Sequence, residues 1–231
     1  MPAISDDEFG TIKLVRSAKA SHIRIKVGTD GMLRASVPLH APALLVKRLI
    51  KSSRPELRKL LEQHHSSSVF TNSMQIGKSH SLITRPSGGT ECKVTRHGQQ
   101  IIVSLPYGKQ IEDSSVQSLI RPVVIEALRK EAKSYLPRRL KHLAEQHGFS
   151  YERVRFSHAS GRWGSCSSRG TISLNIALMK LPFHLIDYVL IHELSHTAEM
   201  NHSSRFWSRV EMCDPHYTAH RRELKNHTPS I

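Results

Sequence analysis

Residues 181–210 read LPFHLIDYVLIHELSHTAEMNHSSRFWSRV. Pro182 stands where proline opens a helix, because its missing N–H would have no partner there anyway. Leu185, Ile186, Val189, Leu190 and Leu194 then recur at intervals of three and four, the spacing of a helix with one buried face. The spacing predicts a helix running to about Met200. His192-Glu193-Leu194-Ser195-His196 lies on it. Two histidines four positions apart differ by about 40° around a helix of 3.6 residues per turn, so both rings leave one face. There one Zn2+ can take a nitrogen from each. Glu193 stands about 100° round, at the edge of that face. From there it suits a general base acting on zinc-bound water better than a metal ligand.

A third ligand is needed, because composition weakens the five-residue pattern. The chain has 16 histidines and 13 glutamates in 231 residues. A shuffled chain of that composition contains H-E-x-x-H about 6% of the time. His202 follows His196 by six positions. On an unbroken helix it would point about 120° away. A break at Asn201, a residue that tolerates left-handed backbone, would leave His202 at a corner free to swing back. Ser203 or Ser204 can then cap a new helix carrying Phe206, Trp207 and Val210. Glu199, Glu211 and Glu223 are the rival third ligands. Three protein ligands and an open fourth position describe a catalytic zinc site.

Outward from this stretch, residues 111–231 are helical with little sheet. Asp113-Ser114-Ser115 can cap a long helix ending at Gly148, with Pro122 and Pro137 placed to kink or divide it. Residues 151–157 and 171–176 have strand character. Residues 1–8 are acidic and expected to fray. From Gly10 to Val37 apolar and polar residues alternate around Thr29-Asp30-Gly31, which predicts a β-hairpin. Its outward residues Lys13, Arg24, Lys26 and Arg34 make one face basic. Residues 41–63 have helical spacing that Pro55 should split. Short strands follow near 69–76, 80–84, 91–96 and 100–105. The chain shows no internal sequence repeat. The expectation is an α+β protein: a basic, β-rich antiparallel N-terminal lobe over 1–110, and a helical half with a short sheet over 111–231.

Lys and Arg number 34 against 19 Asp and Glu, a formal charge of +15. Residues 1–110 carry +10 of it and residues 111–231 carry +5. Such a field favours phosphate-bearing or acidic partners and says nothing of fold. No run of about 18 apolar residues marks a membrane span. The first residues lack the basic start and apolar core of a signal peptide. Cys92, Cys166 and Cys213 form no disulfide framework, so a cytoplasmic location is expected.

Arg162-Trp163-Gly164-Ser165-Cys166, Ile172-Ser173-Leu174-Asn175 and Ile186-Asp187-Tyr188-Val189 precede the H-E-L-S-H segment, which continues into Asn201-His202-Ser203 and Phe206-Trp207. Together they resemble the YgjP-like metal-dependent hydrolases, the domain of unknown function 45 family. These are relatives of SprT-like and minigluzincin zinc peptidases. Val15-Arg16-Ser17-Ala18-Lys19 and Cys213-Asp214-Pro215-His216-Tyr217 extend the resemblance over most of the chain, as one continuous family domain. It implies a zincin-like catalytic region, with zinc on His192, His196 and His202 and Glu193 as base. A nucleotide pyrophosphatase activity on UTP has also been attributed to a member.

Arg162 could neutralise an oxyanion or phosphate, and the Tyr217 phenol could stabilise a tetrahedral intermediate. Ordinary surface and packing roles weigh against both. Cys166 reads as a small buried hydrophobe, and Asn175 as a cap or a bridge to the motif helix. His158, His184, His216 and His220 read as surface or satisfied histidines. The expected function is a zinc-dependent hydrolase, foremost a metallopeptidase acting on a protein or peptide. Hydrolysis of UTP by a metal-dependent pyrophosphatase is the alternative. A zinc-binding module associated with nucleic acid, docking weakly through the basic lobe, is the third.

Overall fold

A computed structural model describes residues 3–18, 20–28, 32–159 and 161–231, with the backbone alone for 62–68. The Thr29-Asp30-Gly31 turn and Lys19 lie outside the described residues. The chain forms two compact units, Met1–Val69 and Phe70–Ile231. Among the described residues the fold is mixed α+β, with three small sheets and six α-helices. None of these helices is long and apolar enough to cross a membrane.

The first unit holds strands β1 (Ala3–Asp6), β2 (Gly10–Arg16), β3 (Arg24–Val27) and β4 (Leu33–Val37) and helices α1 (Ala43–Ser52) and α2 (Arg54–Ser68). Residues 3–6 do not fray. Ile4 is buried, and the Asp6 carboxylate accepts the backbone N–H groups of Glu8 and Phe9. The alternating residues do their predicted work: Ile12, Leu14, Leu33, Ala35 and Val37 are buried with Val46, Ile50 and Leu57 of the helices. On the other face Lys13, Arg34 and Lys26 stand in one cross-strand row. Pro55 sits in the first turn of α2 and separates it from α1, as its missing donor requires.

The second unit opens with β5 (Gln75–Ile76), β6 (His80–Pro86), β7 (Lys93–His97) and β8 (Gln100–Leu105). These strands are ordered β5-β6-β8-β7, as the first sheet is ordered β1-β2-β4-β3. In both, the outer pairs are antiparallel and the central pair is parallel. The sheet is thus repeated in topology without a readable sequence repeat. The expectation of an antiparallel lobe is corrected: each sheet is mixed. The third sheet, ordered β10-β11-β9, joins β9 (Arg153–Ser157) parallel to β11 (Thr171–Asn175) and β10 (Gly164–Cys166) antiparallel to it.

Helix α3 (Ser114–His147) is the spine of this unit. Pro122 and Pro137 lie within it without dividing it, and Gly148 ends it in left-handed backbone at φ 69°. The Asp113 carboxylate accepts the Gln110 N–H instead of capping the helix. Ile120, Leu128, Leu136 and Leu140 are fully buried in one core. That core also takes Ile76, Leu82, Ile101 and Val103 of the second sheet. The two compact units part after Val69.

The α3 face turned to this sheet carries a buried carboxylate, Glu131. It accepts N–H groups from Lys78, Ser79 and His80, the Ser79 hydroxyl, and His80 Nδ1 at 2.6 Å. Burial alone would raise its pKa; the bonds from His80, Lys78 and Ser79 outweigh that and hold it below the ordinary value. Gly77 makes the wrap possible: its φ is 64°, and a Cβ there would fall 2.3 Å from the carboxylate. The Lys78 ammonium donates to the Leu181 carbonyl and lies 4.4 Å over the Phe183 ring. It thus braces the chain entering α4 (Phe183–Ser195).

Replacing Glu131 with Ala strands several buried donors and should cost about 3 kcal/mol in urea unfolding. A lowered carboxylate pKa stabilises above the ordinary value of 4.5 and loses that contribution as pH falls through the folded value. The stability gap between wild type and Glu131→Gln should accordingly narrow as pH drops below 4.5. A gap that is constant between pH 7 and pH 3 contradicts this.

Candidate metal centre

Helix α4 ends earlier than its apolar spacing predicts. Its last residue is Ser195, and His196 is the C-cap. The break is not at Asn201, whose backbone is not left-handed. Two hydroxyls bond back to carbonyls at this end. Ser195 Oγ donates to the Ile191 carbonyl at 2.8 Å, and Thr197 Oγ1 to the Leu194 carbonyl at 2.7 Å. Such bonds compete with the helix ladder for its last acceptors. The chain turns through 196–202 and restarts as α5 (Ser204–Cys213), where Ser203 Oγ accepts the Phe206 N–H. The capping serine is where the sequence placed it.

The turn brings His202 back beside the helix. Among the described residues one group of three could hold a metal ion: His192, His196 and His202, with ligand atoms all within 4.8 Å of one another. His192 Nε2 and His202 Nε2 stand 3.2 Å apart. Two nitrogens bound tetrahedrally to one zinc stand roughly 3.3 Å apart. His196 Nδ1 donates to the Glu199 carbonyl at 3.1 Å, which leaves its Nε2 lone pair free. Burial, then His196, His202 and Arg221, push the His192 pKa down to about 3, so its ring is neutral. Burial, then His196 and Arg221, lower the His202 pKa as well. Neutral imidazoles are the form that ligates metal. The donor set therefore fits a zinc-type ion.

Phe206 forms a platform for all three rings, at 5.0 Å from His192, 4.5 Å from His196 and 4.8 Å from His202. Trp207 stacks on His202 at 5.5 Å. The rival ligands go elsewhere. Glu223 pairs with His184 at 3.0 Å, Glu199 contributes its backbone carbonyl, and Glu211 is exposed. His220 pairs with Asp214 at 2.7 Å.

Glu193 is 5% exposed, and its Oε2 is buried with no partner. Burial pushes its carboxyl up to about 8 against the opposing charge of Arg162. His192 Nδ1 is likewise buried and unpartnered. Arg162, exposed, lies two residues before β10. Tyr217 opens α6 (Tyr217–Leu224) and stacks on Trp207 at 5.6 Å, so one ring separates it from His202. Asn175 serves as a cap: its oxygen accepts the Ala177 N–H while its amide donates to Ala159 and Arg162 carbonyls. Burial and Glu193 push the Cys166 thiol up to about 11, so it stays protonated.

Arg221 escaped the sequence reading. Its guanidinium lies 4.5 Å over Trp207, and its charge reaches His192 and His202. The available signal was its place one helical turn after Tyr217.

No curated protein matches the chain. Among solved structures, the crystal structure of the metallopeptidase zymogen of Pyrococcus abyssi abylysin is similar at 29% identity. The alignment covers 39% of this chain and 92% of that one, with a TM-score of 0.36. The sequence profile of the YgjP-like metallopeptidase domain matches residues 21–227. Nearly the whole chain is covered, and it belongs to the YgjP-like metallopeptidase-domain family.

Proposed function

We propose that the protein is a zinc-dependent peptidase, with His192, His196 and His202 as ligands and Glu193 as general base. The observation that carries this reading is the convergence of three imidazoles beside a buried, unpartnered Glu193 oxygen, one residue after His192 on the same helix. Bound zinc would polarise the scissile carbonyl as a Lewis acid. The vacant acceptor on Glu193 suits a water, whose proton it takes and passes to the leaving amine. Arg162 and Tyr217 are the groups assigned to steady the developing oxyanion. A peptide substrate is favoured by β10. It is the end strand of its sheet and lies against α4, so an extended chain could add to its open edge. Three free cysteines support a reducing, cytoplasmic home.

Hydrolysis of a nucleoside triphosphate is the second reading. Arg162 and Arg221 at the site favour it, but three imidazoles suit zinc rather than Mg2+.

Metal-stripped protein should take up zinc near one per chain. At zinc one hundred times Kd, stability should rise by about 2.7 kcal/mol. His202→Ala should weaken zinc binding by more than the ~100-fold that loss of a supporting partner costs. Unchanged affinity would reassign the third ligand.

Glu193→Gln should keep its zinc and lose about 10²- to 10⁴-fold in kcat on unfolded casein. Full activity in that variant rules out the base. UTP turnover without casein cleavage, in the same zinc-loaded wild type, would move the assignment to the second reading.

A further inference from the structure

The carboxylate of Glu193 lies against the backbone of β10, over Gly164. A Cβ at Gly164 would stand 2.6 Å from Glu193 Oε1, 2.7 Å from its Cγ and 2.8 Å from its Cδ. No real Cβ tolerates such distances, so any side chain at 164 must displace the carboxylate. The glycine is not needed for the strand itself. Its φ lies outside the left-handed region, and its pairing with Leu174 is that of an ordinary antiparallel strand. Gly77 contrasts with it, since there left-handed backbone also demands glycine. Gly161, three residues earlier, meets nothing within 4 Å.

We infer that Gly164 is a positioning residue. Its missing side chain opens the space that holds the Glu193 carboxylate in its working rotamer. The inference rests on the peptidase reading above, in which Glu193 is the base. The neighbour that must yield is a side chain, not backbone. An alanine at 164 therefore leaves β10 and α4 in place while moving the group that handles the proton. Misplacing a reacting group by about 1 Å can cost about 10²-fold.

The test is kcat, KM and zinc content on unfolded casein for Gly164→Ala, Glu193→Gln and the double variant, with Gly161→Ala as control. Gly164→Ala should lose about 10²-fold in kcat with KM and zinc near wild type. Gly161→Ala should match wild type. In the Glu193→Gln background, adding Gly164→Ala should change residual turnover less than about twofold, because no base remains to displace. A structural role would lower it further. Wild-type kcat in Gly164→Ala overturns the inference, as does an additive loss in the double variant. Neither outcome touches the peptidase reading, which falls only if Glu193→Gln itself stays active. Should Gly164→Ala lose zinc or unfold, Glu193→Ala decides: it removes the three atoms nearest the new Cβ. Restored zinc binding and melting temperature in Gly164→Ala/Glu193→Ala support the inference, and no restoration overturns it.

Discussion

A helix buried along most of its length must still dispose of its polar groups, and the site of this protein is organised by that constraint. Leu185, Ile186, Val189, Leu190 and Leu194 draw α4 into the core of the second unit. Unpaired polar atoms there are costly. Ser195 and His196 meet the constraint with backbone carbonyls of Ile191 and Glu199. Glu193 Oε2 and His192 Nδ1 do not meet it. They stand one residue apart, at the only place in the described chain where three metal-ligating side chains converge. Unsatisfied burial and convergent donors coincide, as they do where a protein keeps groups ready for chemistry.

The same helix is held from several sides. Arg139 on α3 grips Asp187 through two bonds of 2.8 and 2.9 Å. Lys78 fastens the residues just before α4, and its own turn is wrapped around Glu131 of α3. Helix α3 thus serves twice: its apolar stripe builds the core, and its two charged contacts orient the helix that carries His192 and Glu193. Phe206 and Trp207 close the other side, stacking on the imidazoles of His196 and His202. Side chains placed by rigid elements in this way are held more closely than loop residues.

Much of this could be read along the chain. The strand alternation around Leu33, Ala35 and Val37, the split at Pro55 and the stripe of α3 are local patterns, and local sterics enforce them. Sheet sense was a different matter. Ile12 and Leu14 say which face of β2 is buried, yet nothing in them says that β2 lies parallel to β4. Alternation is identical for parallel and antiparallel neighbours. The repeated sheet topology stayed hidden for the same reason, since the order of strands requires only that apolar residues alternate. Apolar spacing did not place the end of α4, since it does not record the bonds that Ser195 and Thr197 hydroxyls make to carbonyls there.

The sequence by itself determined the donor types and their intervals. Two imidazoles four residues apart on a helix share a face by helical geometry alone, and Glu193 lies beside them for the same reason. It also offered Ser203 or Ser204 as the cap of the following helix, and Ser203 takes that place. Only the tertiary structure brought His202, and not the glutamates at 199, 211 and 223, beside His192 and His196. That choice depends on where a turn folds back, a matter of three-dimensional distance and not of spacing. It alone showed that Arg221 reaches the site and that Gly164 leaves room for Glu193. Both facts depend on packing between segments far apart in the chain, and periodicity within one segment carries no information about what lies across the gap.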